Sequence, residues 1–527
     1  MDKKVFINGK IYSLNKEGET FEALASSGGY IVDIGTSEKL KGYKHFGYEM
    51  IDLKGSTVIP GLIDAHTHFV SFAKTLDFVN LDGVNSLDDA LSKIAKRVEE
   101  KGEGEWIIGR GWDQYLWGMT AFPTKEILDR VTPNNPAVLI RKDGHMVWTN
   151  SKTLKLLGIT RKTPDPKGGK IERKEGEPVG IFTEKAVDMI LSRLPHPDKE
   201  SLFPLFERAQ EIALSNGLTG VHTFESHREF DLLTEFYNQK KLDIRVFYGF
   251  EQEGLPKMVE LGFKSYFGDH LLTLGVLKLF KDGSLGSRTA YMFEPFEGEP
   301  QNYGQDVLPN EELKEIVTFA NRHGIAVSVH AIGDHAVHDV LMAFSDTYEI
   351  AKEKGLRNRV EHFQIVKPED MELAKKIGII ASMQPIHAVK DRYVADKFWG
   401  KRCKGSAYAW KTILKKGIPL AFGTDVPVET LNPFYSIYTA IVRHDVGEES
   451  PWYPEERLTL YEALSAYTKG SAYAEKKEFV KGTLEPGKVA DFLVLPENPF
   501  DVDPEEFYKL KPLATVVGGE VKTGDIK

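Results

Sequence analysis

"VIPGLIDAHTHF", Val58 to Phe69, is an apolar run that ends in His66 and His68. Alternate residues on a β-strand face the same side, so both imidazoles project together from the end of such a strand. Two ligands on one rigid element suit a divalent cation, although an isolated HxH pair is weak evidence. What surrounds the pair decides its meaning.

Downstream of Leu62, short apolar runs alternate with amphipathic helical segments such as "LFPLFERAQEIALSNG" and "NEELKEIVTFANRHG", each closing on a glycine. This alternation predicts parallel βα units. The candidate strands are "LIDAHTH", "LTGVHTF", "IRVFYGF", "TLGVLKLF", "IAVSVHAIG", "NRVEHFQ", "GIIASMQP" and "PLAFGTD". Eight such strands predict an α/β fold, a (β/α)8 TIM barrel over residues 61–475. A long insertion, about residues 76–214, separates the first two strands and reads as a lid or binding subdomain. It holds strand-like pieces of its own, "EWIIGRGW" and "PAVLIRKDGHMVWTN", and taking one of them as the second strand shifts the count by one. Residues 1–60 and 476–527 share a β-rich, turn-rich texture and are expected to combine into one composite β-sandwich.

Bulk properties limit the chemistry. Of 527 residues, 41% are hydrophobic and 28% charged, which describes a globular protein and not a disordered or fibrous one. The formal net charge of −10 argues against nucleic acid as a partner, since phosphate binding needs a concentrated basic surface. A single cysteine, Cys403, excludes an intramolecular disulfide framework and Cys-rich zinc modules. The start, "MDKKVFINGK", has no apolar core of a signal peptide, and no apolar stretch is long enough for a membrane span. The expectation is a cytoplasmic protein acting on a small molecule, with no nucleic-acid or membrane partner and a homodimer as the assembly considered.

The other strand ends strengthen the metal reading. The fifth strand ends in "SVHAIGD" with His330, the sixth in "VEHFQ" with His362, and the eighth in "FGTDVPV" with Asp425. Apolar strands that repeatedly end in imidazole or carboxylate at the catalytic face of a barrel favour a metal site over satisfied core histidines. On the fourth strand, Lys278 lies between Leu277 and Leu279 and therefore faces the interior. A buried ammonium is costly and repels cations. A carbamate, formed from the neutral amine and carbon dioxide, resolves both problems; an ion pair with a carboxylate such as Asp282 is the plainer alternative. Lys281, the other lysine of the stretch, does not share the face of Lys278.

HxH after the first strand, Lys after the fourth, His after the fifth and sixth and Asp after the eighth resembles the amidohydrolase superfamily. "VIPGLIDAHTH" and "GTLEPGKVADFLVL" are similar to that family's entry into and exit from the barrel. The long early insertion, with "LKLFKDGSLGSRTA" and "VSVHAIGDHAV", resembles the branch containing N-substituted formamide deformylases. The resemblance implies that His66 and His68 bind the more buried of two divalent ions and His330 and His362 the other, zinc being the expected metal. It further implies that Lys278 bridges them as a carbamate and that Asp425 binds metal and shuttles the proton. Hydrolysis of a C–N bond follows, in an amide, N-formyl amide or cyclic amide: metal-activated hydroxide attacks, and Asp425 serves as general base and then general acid.

Candidates for substrate contact are His387 after the seventh strand, His222 at the end of the second, and Trp112, Asp113, Trp117 and His145 in the insertion. Glu184 is either a surface residue or a site carboxylate, and His335 and His338 lack the Glu of a zinc-protease motif. Two rival functions are a single-metal deaminase acting on an aromatic ring and a metal-free scaffold. The deaminase reading lacks its usual Glu beyond the fifth-strand His, where this chain runs "HAIGD", and the scaffold reading conflicts with a complete ligand set.

Overall fold

The structure, a computed structural model, describes residues 3–142, 144, 146–166, 168–195 and 197–526. Eight strands occur where the alternation places them: β1 (Leu62–Thr67), β2 (Leu218–Glu225), β3 (Arg245–Glu251), β4 (Leu272–Phe280), β5 (Val327–Ala331), β6 (Arg359–His362), β7 (Ile380–Met383) and β8 (Leu420–Phe422). They pair in parallel in that order, β1 to β8. The connecting helices bury one stripe each. In Asn310–Arg322 the buried apolar residues are Leu313, Val317 and Ala320, spaced by a helical turn. Pro368–Ile377 stops where Gly378 takes a left-handed φ of 66°.

The seam between β8 and β1 brings the barrel nearly to closure through bonds just beyond the strand ends. Asp425 N donates to His66 O and His68 N to Val426 O, both at 2.8 Å. Asp64 adds a side-chain stitch, accepting from Thr424 N at 3.0 Å and from Thr424 Oγ1 at 2.6 Å. Gly423 permits this approach, because a Cβ there would lie 2.4 Å from His66 N.

The two chain ends build a β-sandwich. A four-stranded sheet of Lys3–Ile7, Ala23–Ser27, Tyr30–Gly35 and Glu49–Asp52 faces a six-stranded sheet. In the latter, Thr57–Pro60 pairs antiparallel with Phe492–Leu495, which in turn pairs with Ala514–Val517. Phe6 and Leu24 from one sheet pack with Val58, Phe492 and Val516 from the other. Alternation on both inner faces thus produces one core from segments more than 400 residues apart in sequence.

A second compact unit, Ala73–Leu205, interrupts the chain between β1 and β2. Its sheet runs in the order Gly169–Lys174, Glu177–Glu184, Met146–Thr149, Ala137–Arg141, Ile107–Trp112 and Val79–Asn80. The strand-like pieces of the insertion therefore pair with one another and not with β1, and the barrel count stays at eight. Among the described residues no helix is long and apolar enough to cross a membrane.

Candidate metal centre

The positions where β1, β5, β6 and β8 end bring four imidazoles and one carboxylate together. The Nε2 atoms of His66 and His68 each lie 3.4 Å from Asp425 Oδ1. The His362 ring centroid is 4.9 Å from that of His66 and 4.4 Å from that of His330. Ligand atoms of His66, His362 and Asp425 all fall within 4.8 Å of one another. Positive φ at His362 (72°) and Asp425 (63°) marks where the chain leaves each strand, turning the side chain away from strict alternation.

Each imidazole has one nitrogen committed outside the cluster. His66 Nδ1 donates to Glu361 Oε2 at 2.6 Å, His68 Nδ1 to Phe224 O at 2.9 Å, and His362 Nδ1 to Gln384 Oε1 at 2.8 Å. His330 reverses the pattern, donating from Nε2 to Gly283 O at 2.9 Å. In the neutral rings these bonds leave lone pairs on Nε2 of His66, His68 and His362 and on Nδ1 of His330. Burial, joined by the nearby Lys278, pushes His330 down to about 3, and burial with neighbouring imidazoles holds His362 well below the usual range. Both rings are thereby kept in the unprotonated form that a metal requires. Burial alone would push Asp425 up, but His66, His68 and His362 outweigh it and hold the carboxyl well below the usual range.

The two lysines of the fourth-strand stretch differ sharply. Lys281 Nζ is saturated by Asp306 at 2.6 Å, Leu308 O at 2.9 Å and Asn310 at 2.6 Å, with Asp339 at 3.1 Å. Among the described residues Lys278 Nζ is buried with no hydrogen-bond partner, 4.5 Å from the centroid of Phe224 and 5.1 Å from that of Phe280. Burial lowers its amine to about 8. Asp282, the carboxylate considered for an ion pair, instead accepts from the backbone amides of Tyr291, Ile332 and Gly333. A buried amine with no carboxylate partner, its affinity for a proton lowered and lone-pair nitrogens nearby, suits an anionic bridge between cations and is poor as a packing residue.

The remaining candidates separate. His387, on the helix Pro385–Phe398, has Nε2 3.7 Å from Asp425 Oδ2. His222 lies in the barrel interior, its Nδ1 accepting from Arg359 at 2.9 Å, and burial lowers it to about 4. Trp112 is fully buried in the core of the insertion, stacked on Trp117 and edge-on to Trp148, with its Nε1 donating to Leu139 O at 2.8 Å. Trp117 Nε1 donates to Val84 O, and Asp113 pairs with Arg141 at 3.2 Å in the same unit. His145 lies outside the described residues. Glu184 is exposed at the end of its strand. His335 is stacked between Tyr291 and Phe293, and His338 binds Asp370 at 2.8 Å, so both serve the packing of their helix. Residue-by-residue reading missed Glu361 and Arg359, although their alternation with Val360 in "RVEH" places two charges on one face of a barrel strand.

The amidohydrolase family model matches residues 49–522, across the sandwich, barrel and insertion alike. The chain belongs to the amidohydrolase family. It is 33% identical to the putative amidohydrolase YtcJ of Bacillus subtilis over 98% of this chain and 99% of that one. The N-substituted formamide deformylase of Arthrobacter pascens is 27% identical over 98% of both chains. A solved structure of an uncharacterized metal-dependent hydrolase from Pyrococcus furiosus superposes with a TM-score of 0.81 at 31% identity, covering 95% of this chain and 100% of that one. This amidohydrolase is thus a hydrolase by family, and its barrel matches that of a metal-dependent hydrolase.

Proposed function

We propose that this amidohydrolase cleaves the C–N bond of an amide, N-formyl amide or cyclic amide with two divalent ions, zinc being the expected metal. The observation that carries the reading is the set of four imidazoles, each with its outer nitrogen committed, gathered at the strand ends with Asp425, whose Oδ1 lies 3.4 Å from Nε2 of both His66 and His68. His66 and His68 would hold one ion and His330 and His362 the other, with Asp425 as a further ligand. Lys278 would join them after its neutral amine adds carbon dioxide, forming an N–C bond and releasing one proton. Bound, the ions supply Lewis acidity, which polarises the scissile carbonyl and makes water nucleophilic near neutral pH.

The protein's own groups do the rest. Asp425 would accept the proton of the attacking water and return it to the leaving nitrogen; its Oδ2 lies 3.7 Å from His387 Nε2. Phe280, two residues beyond Lys278, is 49% exposed, with its ring 5.4 Å from that of His330. It offers apolar surface to a substituent of the substrate. The likeness to a formamide deformylase over nearly the whole chain supports N-formyl compounds as the first substrates to try.

Elemental analysis of protein purified without chelator, followed by turnover assays on N-formyl amines, amides, cyclic ureas, aminated aromatic rings and esters, tests the proposal. Close to two divalent ions per chain and C–N cleavage in the first three classes, read as released amine from the open-chain substrates and as ring opening of the cyclic ones, is the expected result. Protein without metal, or one that acts only on rings or esters, would overturn it.

A further inference from the structure

Below the cluster the barrel interior is charged where apolar layers are the rule. Glu361 and Arg359, both on β6, are fully buried. Glu361 divides its carboxylate: Oε2 accepts from His66 Nδ1 at 2.6 Å, while Oε1 accepts from Ser328 Oγ at 2.5 Å and meets Arg359 Nε at 2.8 Å. Arg359 then spreads across the barrel, donating to Ala65 O on β1 at 2.7 Å, His222 Nδ1 on β2 at 2.9 Å and Ser382 Oγ on β7 at 2.9 Å. Behind His222, Glu475 lies 3.5 Å from Nε2 and pairs with Lys481 at 2.7 Å.

Buried ion pairs are seldom more stabilising than apolar residues of the same volume, so their presence here is poorly explained as core filling. Their contacts converge on one outcome. Glu361 fixes the ring plane and the Nδ1–H tautomer of His66, and Arg359 and Ser328 leave the carboxylate no freedom to turn away. Resting on the metal-centre reading above, we infer that Glu361 and Arg359 are positioning residues that set metal affinity through His66. Neither is exposed to the mouth of the barrel, so neither is expected to touch substrate.

The test compares wild type with Glu361→Gln, Arg359→Lys and Ser328→Ala. Metal affinity is measured by chelator competition, the Co(II)-substituted forms by visible spectroscopy, and metal-free stability by thermal unfolding. Glu361→Gln should weaken metal binding by roughly 10- to 100-fold and change the Co(II) spectrum, the usual scale for the outer partner of a histidine ligand. Arg359→Lys, which keeps the charge and loses the reach, should weaken it less. Should Glu361→Gln fail to fold, Ser328→Ala decides, since it removes one bond to Glu361 and leaves both charges in place; it should lower affinity and shift the spectrum in the same direction. Wild-type affinity and spectrum in a folded variant, with only the unfolding temperature lowered, would reduce the pair to a structural brace and overturn the inference while leaving the metal centre standing. A wild-type protein that takes up no metal would overturn both.

Discussion

The amide of Asp425 donates to the carbonyl of His66 at 2.8 Å, and the carboxylate of the same aspartate lies 3.4 Å from Nε2 of the same histidine. Barrel closure and assembly of the site therefore use one pair of residues. The backbone bond survives substitution of the side chain, so Asp425→Asn should retain its circular dichroism spectrum and most of its metal. Turnover should fall by about 100- to 10,000-fold if Asp425 carries the proton. Wild-type turnover in that variant would assign the proton to another group.

Lys278 supplies a pH dependence. Its amine is lowered from 10.5 to about 8, so it is mainly charged below that pH and mainly neutral above it. Only the neutral amine adds carbon dioxide. At constant dissolved carbon dioxide, reconstitution of metal-free protein should quicken roughly tenfold between pH 7 and pH 9, following the neutral fraction of a group titrating near 8. Lys278→Ala should lose this slope together with metal and activity. An identical slope in that variant would remove the carbamate from the mechanism.

Phe280 provides a test of selectivity. With half its surface exposed beside Lys278 and His330, Phe280→Ala should raise KM for substrates with bulky apolar substituents by roughly tenfold, and much less for the smallest ones. Metal content should not change. Equal effects on large and small substrates would deny the contact.

Trp112 should behave as a core residue of the insertion. Truncation of a fully buried aromatic that packs against Trp117 and Trp148 is expected to cost about 3–5 kcal/mol, read as a lowered denaturation midpoint for Trp112→Ala. An unchanged midpoint with a raised KM for bulky substrates would return this residue to the substrate pocket.

Much of this molecule is written locally. An apolar run that ends in a polar residue, and a helix that closes on glycine, are properties of ten or fifteen neighbouring positions. The eight strands, the sandwich built from both ends and the order His66, His68, Lys278, His330, His362, Asp425 could therefore be read along the chain. Period-two alternation even placed Lys278 inside, because a strand has only two faces.

Which partner each group meets was decided elsewhere. Alternation cannot say whether Lys278 or Lys281 finds a carboxylate, and the folded chain saturates Lys281 while Lys278 has no hydrogen-bond partner among the described residues. Nor does it distinguish a tryptophan facing a pocket from one facing the core of its own sheet, as Trp112 does. Glu361 reaches His66 across 295 positions, and Gly423 has its meaning only because β8 closes on β1. Tautomers, buried charges and orphaned atoms depend on distances between faces brought together by burial, and no window of sequence contains both faces.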